Sequence, residues 1–255
     1  MFRTARSLSE ILNSYNRGGS LKRILVAEDE LAIREFVVIN LVRSGYEVTQ
    51  AENGSQALQL YEDAHGDFDV AVLDIMMPET DGITVCKEIR QRDPNIGIIM
   101  LTAKTQEMDK ITGLMNGADD YITKPFSPSE FLARVDAVYR RVALNKNLTE
   151  QPQGSEFIMT SGDFSLNLRN RILTKNGRSI ELTQVEFQLM EYFLSNQNVA
   201  LERNEILRHV WGENYFGDEK VVDVNIRRLR MKVETVPSTP EHLTTVWGMG
   251  YKWVP

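Results

Sequence analysis

The sequence predicts two domains: a five-stranded, parallel, doubly wound α/β domain followed by a smaller α+β domain. Short apolar runs recur about every 25 residues between residues 22 and 142, and amphipathic stretches with helical spacing separate them. Five such β-α repeats are typical of a parallel sheet with helices on both faces. After Arg141 the alternation stops and a polar segment follows, which indicates a domain boundary. A chain of 255 residues is also long enough for two domains.

The five apolar runs are the candidate strands of the first domain. They are Arg23–Ala27, Glu47–Ala51, Asp69–Asp74, Gly97–Thr102 and Asp120–Thr123. In an open parallel sheet, ligands bind outside the carboxyl ends of the strands. We therefore look for functional side chains directly after these runs.

Four segments are expected along the chain. Residues 1–20 form an N-terminal extension, disordered or partly helical, and residues 21–142 form the first domain. Residues 143–156 contain Pro and Gly and little apolar surface, which predicts a flexible linker. Residues 157–255 form the second domain. The net charge of −7 is concentrated in the first domain, at −8, whereas the second domain is neutral.

Several classes of protein are disfavoured by composition. The single cysteine excludes an intramolecular disulfide, and three scattered histidines make an imidazole metal cage implausible. No apolar run is long enough to span a bilayer, and the first twenty residues lack the apolar core of a secretory signal. We expect a cytoplasmic location.

The second domain shows strand-like alternation at Phe164–Leu168 and Ile172–Thr174, followed by three helices. Thr183 opens a capping-box sequence that starts the first helix, and the other two run from about residue 203 to 211 and from about 219 to 234. The chain ends in two short strands about Gly248-Met249-Gly250, which is a hairpin signature. Three helices and a terminal hairpin predict a winged helix.

Acidic residues lie where the strands of the first domain end. Glu28 and Asp29 follow the first strand, Asp74 ends the third, Thr102 ends the fourth and Lys124 ends the fifth. Because neighbouring parallel strands lie about 4.8 Å apart, these side chains can converge. Clustered carboxylates favour a hard divalent cation, so we predict Mg²⁺. Its expected ligands are Asp29, Asp74 and the backbone carbonyl of Met76, with Glu28 acting through water.

This arrangement makes Asp74 a candidate nucleophile toward a phosphoryl group. The ammonium of Lys124 and the hydroxyl of Thr102 would stabilise charge on the transferred group. Two alternatives remain open at this point. Lys124 could be a surface partner of Asp119 or Asp120, or the chain could be a phosphatase of the haloacid-dehalogenase type. Such phosphatases carry a D-x-D motif after their first strand, whereas this chain has Glu28-Asp29 there.

Four motifs, VAEDE, VLDIMMP, MLTA and GADDYITKPF, stand in the order and spacing of response-regulator receivers. With the second domain, the chain resembles the OmpR/PhoB subfamily, which combines a flavodoxin-like receiver with a winged helix-turn-helix. The resemblance implies that Asp74 is the phosphoacceptor and that Thr102 and Tyr121 are the switch pair. It also implies a cis bond at Lys124-Pro125. Slow self-phosphorylation and dephosphorylation would be the only catalysis.

The resemblance further implies a dimer face on the fourth helix, fifth strand and fifth helix of the receiver. Its candidate charges are Lys110, Asp119, Asp120, Glu130, Arg134 and Arg141. Lys110 would pair with Glu130, and Asp120 with Arg141, across a two-fold axis. Met115 and Asn116 stand where the family often has acidic residues, so one or two of the usual ion pairs are expected to be missing.

The third helix of the second domain is the candidate DNA-reading element. Val222, Ile226, Leu229 and Val233 share one face and are expected in the core. Val224, Arg227, Arg228 and Met231 fall on the opposite face, expected to be exposed, and Asn225, Arg230 and Lys232 flank it. Arginine pairs well with guanine and asparagine with adenine in the major groove.

The terminal hairpin is expected to be a wing that contacts the minor groove or backbone of DNA through Lys252. The family often carries Arg where this chain has Trp247, which predicts packing or stacking there. Thr183, at a helix N-terminus, could position a DNA phosphate. The loop Gly212–Asp218 is where the family meets RNA polymerase.

These observations predict a DNA-binding transcriptional regulator, bacterial and controlled by phosphorylation. A sensor histidine kinase would phosphorylate it, and the resulting homodimer would bind double-stranded promoter DNA. One alternative is a constitutive DNA binder whose receiver serves mainly as a dimerisation scaffold. A second is an enzyme that turns over a small phosphoester.

Overall fold

The computed structural model describes residues 22–103, 116–148, 157–213, 215 and 217–255. It contains a parallel α/β domain and a winged-helix domain, so the predicted fold class is confirmed. None of the helices formed by these residues combines the length and apolarity needed to cross a membrane.

The first domain is built on a five-stranded parallel sheet. Its strands are β1 (Lys22–Ala27), β2 (Tyr46–Ala51), β3 (Val70–Asp74), β4 (Gly97–Ala103) and β5 (Asp120–Lys124). Their order is β2-β1-β3-β4-β5, and every neighbouring pair is parallel. The order in which successive strands are added to the sheet reverses between β1 and β3. The loops that follow these two strands therefore leave a crevice between them.

Helices cover both faces of this sheet. They are α1 (Leu31–Arg43), α2 (Gly54–Asp63), α3 (Gly82–Arg92) and α4 (Pro128–Leu148). Helices α1 and α4 pack with one face of the sheet, and α2 and α3 with the other. Helix α4 continues through residues 143–148, which the sequence had predicted to be linker. The predicted extension at residues 1–20 and the helix with Lys110 and Met115 lie outside the described residues.

The second domain begins with a four-stranded antiparallel sheet and continues into the predicted helices. Its elements are β6 (Ile158–Ser161), β7 (Phe164–Asn167), β8 (Ile172–Lys175), β9 (Arg178–Ile180), α5 (Gln184–Ser195), β10 (Ala200–Glu202), α6 (Arg203–Trp211), α7 (Lys220–Val233), β11 (Leu243–Val246) and β12 (Gly250–Trp253). The β11–β12 hairpin, hereafter the wing, pairs with β10 to form a three-stranded sheet. The sequence analysis did not predict β6, β9 and β10, which have four, three and three residues.

The apolar core runs from one domain into the other. Ala118 and Tyr121 of the first domain belong to the same cluster of buried side chains as Trp211 and Val224 of the second. All four are less than 10% exposed. The domains are therefore joined by packed apolar surface and not by the linker alone.

A buried carboxylate ties the start of α5 to α7. Glu186 is fully buried and lies 3.1 Å from the Nη2 atom of Arg228 and 2.6 Å from the Nζ atom of Lys232. It also accepts a hydrogen bond from the backbone amide of Thr183, which completes the predicted capping box. Burial would raise the pKa of Glu186, but Arg228 and Lys232 outweigh it and lower the pKa.

Replacing this carboxylate is expected to destabilise the second domain. Because Glu186→Gln leaves the buried Arg228, together with the more exposed Lys232, without its counter-ion, we expect the free energy of unfolding at neutral pH to fall by about 2–4 kcal/mol. Urea unfolding followed by tryptophan fluorescence measures this, since all three tryptophans lie in this domain. Glu181→Gln is the control, because Glu181 is exposed and only its backbone carbonyl contacts Lys232.

The loss of stability in Glu186→Gln should also depend on pH. Because the folded-state pKa of Glu186 is lowered, its stabilisation is present above the ordinary glutamate pKa and is lost as pH falls through the folded-state value. The difference between wild type and Glu186→Gln should therefore shrink on acidification. A difference that stays constant down to the acid transition would contradict this role.

Candidate functional site

The predicted side chains converge at the carboxyl edge of the parallel sheet. Glu28 follows β1, Asp74 ends β3 and Lys124 ends β5. Glu28 and Asp74 flank the crevice at which the strand order reverses. Both are at least 95% buried, whereas Asp29 is exposed to solvent.

Lys124 joins the two buried carboxylates. Its Nζ atom lies 2.8 Å from Oδ1 of Asp74 and 2.9 and 2.7 Å from Oε1 and Oε2 of Glu28. This ammonium is therefore a shared counter-ion inside the pocket. The alternative in which Lys124 is a surface partner of Asp119 or Asp120 is wrong, because Arg90 and Arg134 bind those carboxylates.

The pocket alters the acidity of its members. Burial, with a smaller contribution from Asp74, raises the pKa of Glu28 to about 7 despite the contact with Lys124. Burial and the nearby Asp29 also raise the pKa of Asp74, although Lys124 opposes this. Burial would lower the pKa of Lys124, but its two carboxylate partners raise it. One ammonium thus compensates incompletely for three clustered acids.

The donor set fits a hard divalent cation. Carboxylate oxygens of Glu28, Asp29 and Asp74 all lie within 4.8 Å of one another. Oxygen-only donors with one solvent-facing member suit Mg²⁺, which retains water ligands. Met76, whose carbonyl was predicted as a further ligand, follows β3 in the loop beside the pocket, and its backbone amide donates to Asp74.

The predicted switch residues, Thr102 and Tyr121, lie beside the pocket, but their hydroxyl groups contact atoms outside it. The Thr102 hydroxyl donates to the carbonyl of Ala103 at 3.3 Å. Tyr121 is buried, and its hydroxyl is hydrogen-bonded to Asp218 of the second domain. Burial first, and then the carboxylates of Asp218 and Asp120, raise the pKa of Tyr121. The peptide bond between Lys124 and Pro125 is cis, as the sequence predicted.

Two adjacent acids at the start of β5 form the centre of the contact between domains. The backbone carbonyl of Asp119 accepts a hydrogen bond from Nε1 of Trp211 at 3.2 Å. The Asp120 carboxylate accepts one from the Tyr215 hydroxyl at 2.6 Å and lies 3.2 Å from Nη1 of Arg134. Arg134 in turn donates to the same tyrosine oxygen at 3.0 Å.

Four of the charges assigned to a dimer face are instead buried, and the second domain of the same chain contacts the surface that carries them. Asp119, Asp120, Arg134 and Arg141 are all less than 10% exposed. Arg141 donates to the carbonyl of Val210 in α6, and Glu130 pairs with Arg134 one helical turn away. In this arrangement, groups of the second domain occupy part of the predicted dimer face. Asn116 is partly exposed beside it.

The predicted DNA-reading face of α7 is partly covered as well, although Arg227 and Met231 on this face are exposed. Val224, Asn225 and Arg228 were expected to face solvent, but all three are buried. Arg228 donates through Nη1 to the carbonyl of Ala118 in the first domain and to the Asn225 side chain. The exposure predicted for them is wrong because α7 lies against the first domain. The periodicity of a single helix carries no information about such a contact.

Other predicted DNA contacts have structural partners within the second domain. Arg230 donates to the Leu243 carbonyl and the Thr245 hydroxyl, which fastens the wing to α7. Lys232 binds Glu186, and Thr183 is buried at the start of α5. In this arrangement Thr183 is too deeply buried to contact a phosphate of DNA.

Five predicted contact residues remain accessible. Arg227, Lys232 and Trp247 are exposed, and Arg230 and Lys252 are partly exposed. They lie on α7 and the wing, which share hydrogen bonds through Arg230.

Sequence reasoning missed the residues of the second domain that hold the contact. Trp211 ends α6 and was predicted only as the end of a helix. Tyr215 and Asp218 lie in the loop before α7, which was assigned only to RNA polymerase. The signal was present, since aromatic residues at 211, 215 and 216 are unusual in an otherwise polar loop.

Comparisons with known proteins agree with both halves of this architecture. Residues 24–136 match the model of the response regulator receiver domain, and residues 177–253 match that of the C-terminal domain of transcriptional regulatory proteins. The chain is 38% identical to the sensory transduction protein RegX3 of Mycobacterium tuberculosis over 229 residues, which is 90% of this chain and 97% of that protein. RegX3 of Mycolicibacterium smegmatis matches equally, at 38% over the same share.

The chain belongs to the OmpR/PhoB family of two-component response regulators. Its two domains are those of a DNA-binding transcription regulator. Among solved structures, a single-residue mutant of RitR superposes with a TM-score of 0.70 at 23% identity, covering 91% of this chain and 98% of that one, which supports the fold alone. The family match leaves the haloacid-dehalogenase alternative without support.

Proposed function

We propose that a sensor histidine kinase phosphorylates Asp74 and that this opens the contact between receiver and winged helix, so that the regulator binds promoter DNA. The observation that carries the proposal is the Tyr121–Asp218 hydrogen bond, which links the edge of the phosphorylation pocket to the DNA-binding domain. The kinase and promoter DNA meet this protein in the bacterial cytoplasm.

Asp74 is the proposed nucleophile. One of its carboxylate oxygens attacks the phosphorus of a phosphohistidine, an O–P bond forms, the N–P bond breaks and the imidazole leaves. Lys124, 2.8 Å from Oδ1 of Asp74, balances negative charge that the phosphoryl oxygens bring into the pocket. The Thr102 hydroxyl would leave Ala103 and donate to a phosphoryl oxygen.

Mg²⁺ is the proposed cofactor, and it would supply positive charge at the phosphoryl oxygens when bound. Asp29, Asp74 and the carbonyl of Met76 would hold it, with Glu28 acting through water. The clustered carboxylate oxygens support this assignment. We propose no catalytic activity beyond slow self-phosphorylation and dephosphorylation of the receiver.

Tyr121 is the proposed connection between the pocket and the second domain. When Thr102 turns toward the phosphoryl group, it vacates space into which the Tyr121 ring can move. That movement removes the hydroxyl from Asp218 and weakens the neighbouring Asp120–Tyr215 contact. The open arrangement would accommodate the phosphoryl group better than the closed one. Phosphorylation would therefore shift the equilibrium toward the open arrangement, by the free-energy difference between these two interactions.

Opening would release three surfaces together. One is the receiver face with Lys110, Asp119, Asp120, Glu130, Arg134 and Arg141, which we propose forms a homodimer. The second is the DNA-binding surface, whose proposed contacts are Thr183, Val224, Asn225, Arg227, Arg228, Arg230, Lys232, Trp247 and Lys252. The third is the loop Gly212–Asp218, proposed to contact RNA polymerase. A dimer would gain DNA affinity by tethering two binding domains.

The alternative, a constitutive DNA binder, makes one prediction that distinguishes it from phosphorylation control. If the receiver is only a scaffold, promoter affinity is equal with and without phosphorylation. Burial of Asn225 and Arg228 against the receiver favours phosphorylation control, because these side chains cannot reach base edges until the domains separate.

The first test concerns the phosphoacceptor. Asp74→Asn should abolish labelling by acetyl phosphate with Mg²⁺, because an amide lacks the nucleophilic carboxylate oxygen. Incorporation of radiolabelled phosphate into the full-length protein measures this. Asp63→Asn, an exposed acid at the end of α2, is the matched control and should label as wild type does. Persistent labelling of Asp74→Asn would refute the assignment.

The second test concerns the closed arrangement. Tyr215→Phe removes the hydroxyl that binds Asp120 and Arg134 but keeps the ring. We expect unphosphorylated protein to bind DNA roughly 5- to 50-fold more tightly, with little change for phosphorylated protein. Fluorescence anisotropy measures this on a duplex selected from random DNA with the phosphorylated full-length protein.

The control for that test is Tyr192→Phe. It removes a comparable hydroxyl, bonded to Glu205 at 2.6 Å within the second domain. Equal affinities for wild type and Tyr215→Phe, or the same gain in the control, would count against release of the interdomain contact.

A further inference from the structure

The tip of the wing carries an exposed tryptophan. Trp247 is 92% exposed, and Met249 beside it is 44% exposed. The other two tryptophans, Trp211 and Trp253, are no more than 2% exposed. Tryptophan is buried on average, so an indole with almost no intramolecular contact indicates a surface that another molecule covers.

The exposure does not come from a frayed hairpin. Strand β12 lies between β10 and β11 and pairs with both. Tyr251 and Trp253 on this strand are buried. At the tip, Gly248 adopts a positive φ of 73°, and the Met249 amide donates to the Val246 carbonyl at 3.1 Å. The turn therefore holds Trp247 outward on a well-paired support.

The wing is also fastened to α7. Arg230 of α7 donates to the Leu243 carbonyl at 2.8 Å and to the Thr245 hydroxyl at 2.9 Å, both on β11. Tyr251 of β12 donates to Asp223 of α7 at 2.7 Å. Helix and wing therefore move as one body, and α7 cannot approach DNA without bringing the wing tip toward the adjacent groove.

The chemistry of the tip differs from that of a phosphate contact. Residues 246–250 carry no charge, so they cannot displace counterions from the DNA backbone. Apolar side chains that contact DNA in the minor groove commonly act as wedges between base steps. Such wedges cost least at deformable pyrimidine–purine steps.

We infer that Trp247, supported by Met249, is a nonpolar minor-groove contact that selects deformable base steps beside the site read by α7. The inference rests on the proposed DNA-binding function and adds a specificity determinant to it. It makes the contribution of the wing tip to affinity nearly independent of salt.

Tryptophan fluorescence can isolate this residue. Because Trp211 and Trp253 are buried, iodide should quench mainly Trp247 in the free protein. Because opening would also uncover Trp211 in the phosphorylated protein, the Trp247 signal there is the difference between wild type and Trp247→Phe. Adding the selected duplex to phosphorylated full-length protein should protect that component from iodide. Trp247→Phe should lose the iodide-sensitive component yet retain most of the affinity, since the ring remains apolar and aromatic.

Binding titrations test the energetic role. Trp247→Ala should weaken binding roughly 5- to 50-fold without changing the dependence of affinity on salt. Trp247→Arg should recover affinity at low salt and steepen the salt dependence by about one counterion. Lys252→Ala, a matched control on the same hairpin, should instead make the salt dependence shallower. Thermal unfolding should be unchanged in the Trp247 variants, because the side chain has almost no contacts to lose.

A further experiment varies the DNA sequence. Replacing a flanking TA or CA step by a stiffer step should weaken wild-type binding but leave Trp247→Ala nearly unaffected. Equal affinities of wild type and Trp247→Ala on every duplex would overturn the inference while leaving the proposed function intact. Iodide protection that depends on protein concentration without DNA would also overturn it, in favour of self-association. Failure of phosphorylated wild type to bind any DNA would overturn the proposed function itself.

Discussion

Two adjacent buried carboxylates, Asp119 and Asp120, are the constraint on which the arrangement of this protein depends. Buried acids require partners, and Arg90 and Arg134 supply the charge from within the receiver. The remaining hydrogen-bonding capacity at Asp120 is used by Tyr215 of the DNA-binding domain. The second domain therefore completes a polar cluster that the receiver alone leaves partly solvated.

This shared cluster gives the interface a polar centre within an apolar surround. Trp211 and Val224 bury apolar area against the receiver, while Tyr215 and Arg228 contribute hydrogen bonds to it. Apolar contact supplies affinity that changes little with small rearrangements, whereas hydrogen bonds are directional and weaken steeply when their angle changes. A small movement of Tyr121 would thus affect the polar centre first, which is consistent with the proposed opening of this interface.

The basic residues of the DNA-binding domain divide between structure and recognition. Arg230 and Lys232 maintain the wing and the start of α5, and Arg228 neutralises a buried glutamate. Arg227 is exposed on the same helix, and Trp247 is exposed on the wing. A neutral domain can therefore serve DNA recognition, because the placement of its charged groups matters more than their sum.

The sequence by itself determined both folds and the grouping of the acidic pocket. Hydrophobic periodicity is local, and parallel strands bring their carboxyl ends together, so Glu28, Asp74 and Lys124 could be grouped without coordinates. Only the tertiary structure decided which surfaces are open. Asn225 and Arg228 have the pattern of an exposed face, yet they are buried, because the covering surface comes from residues about a hundred positions away. Periodicity within one helix carries no information about a contact between domains.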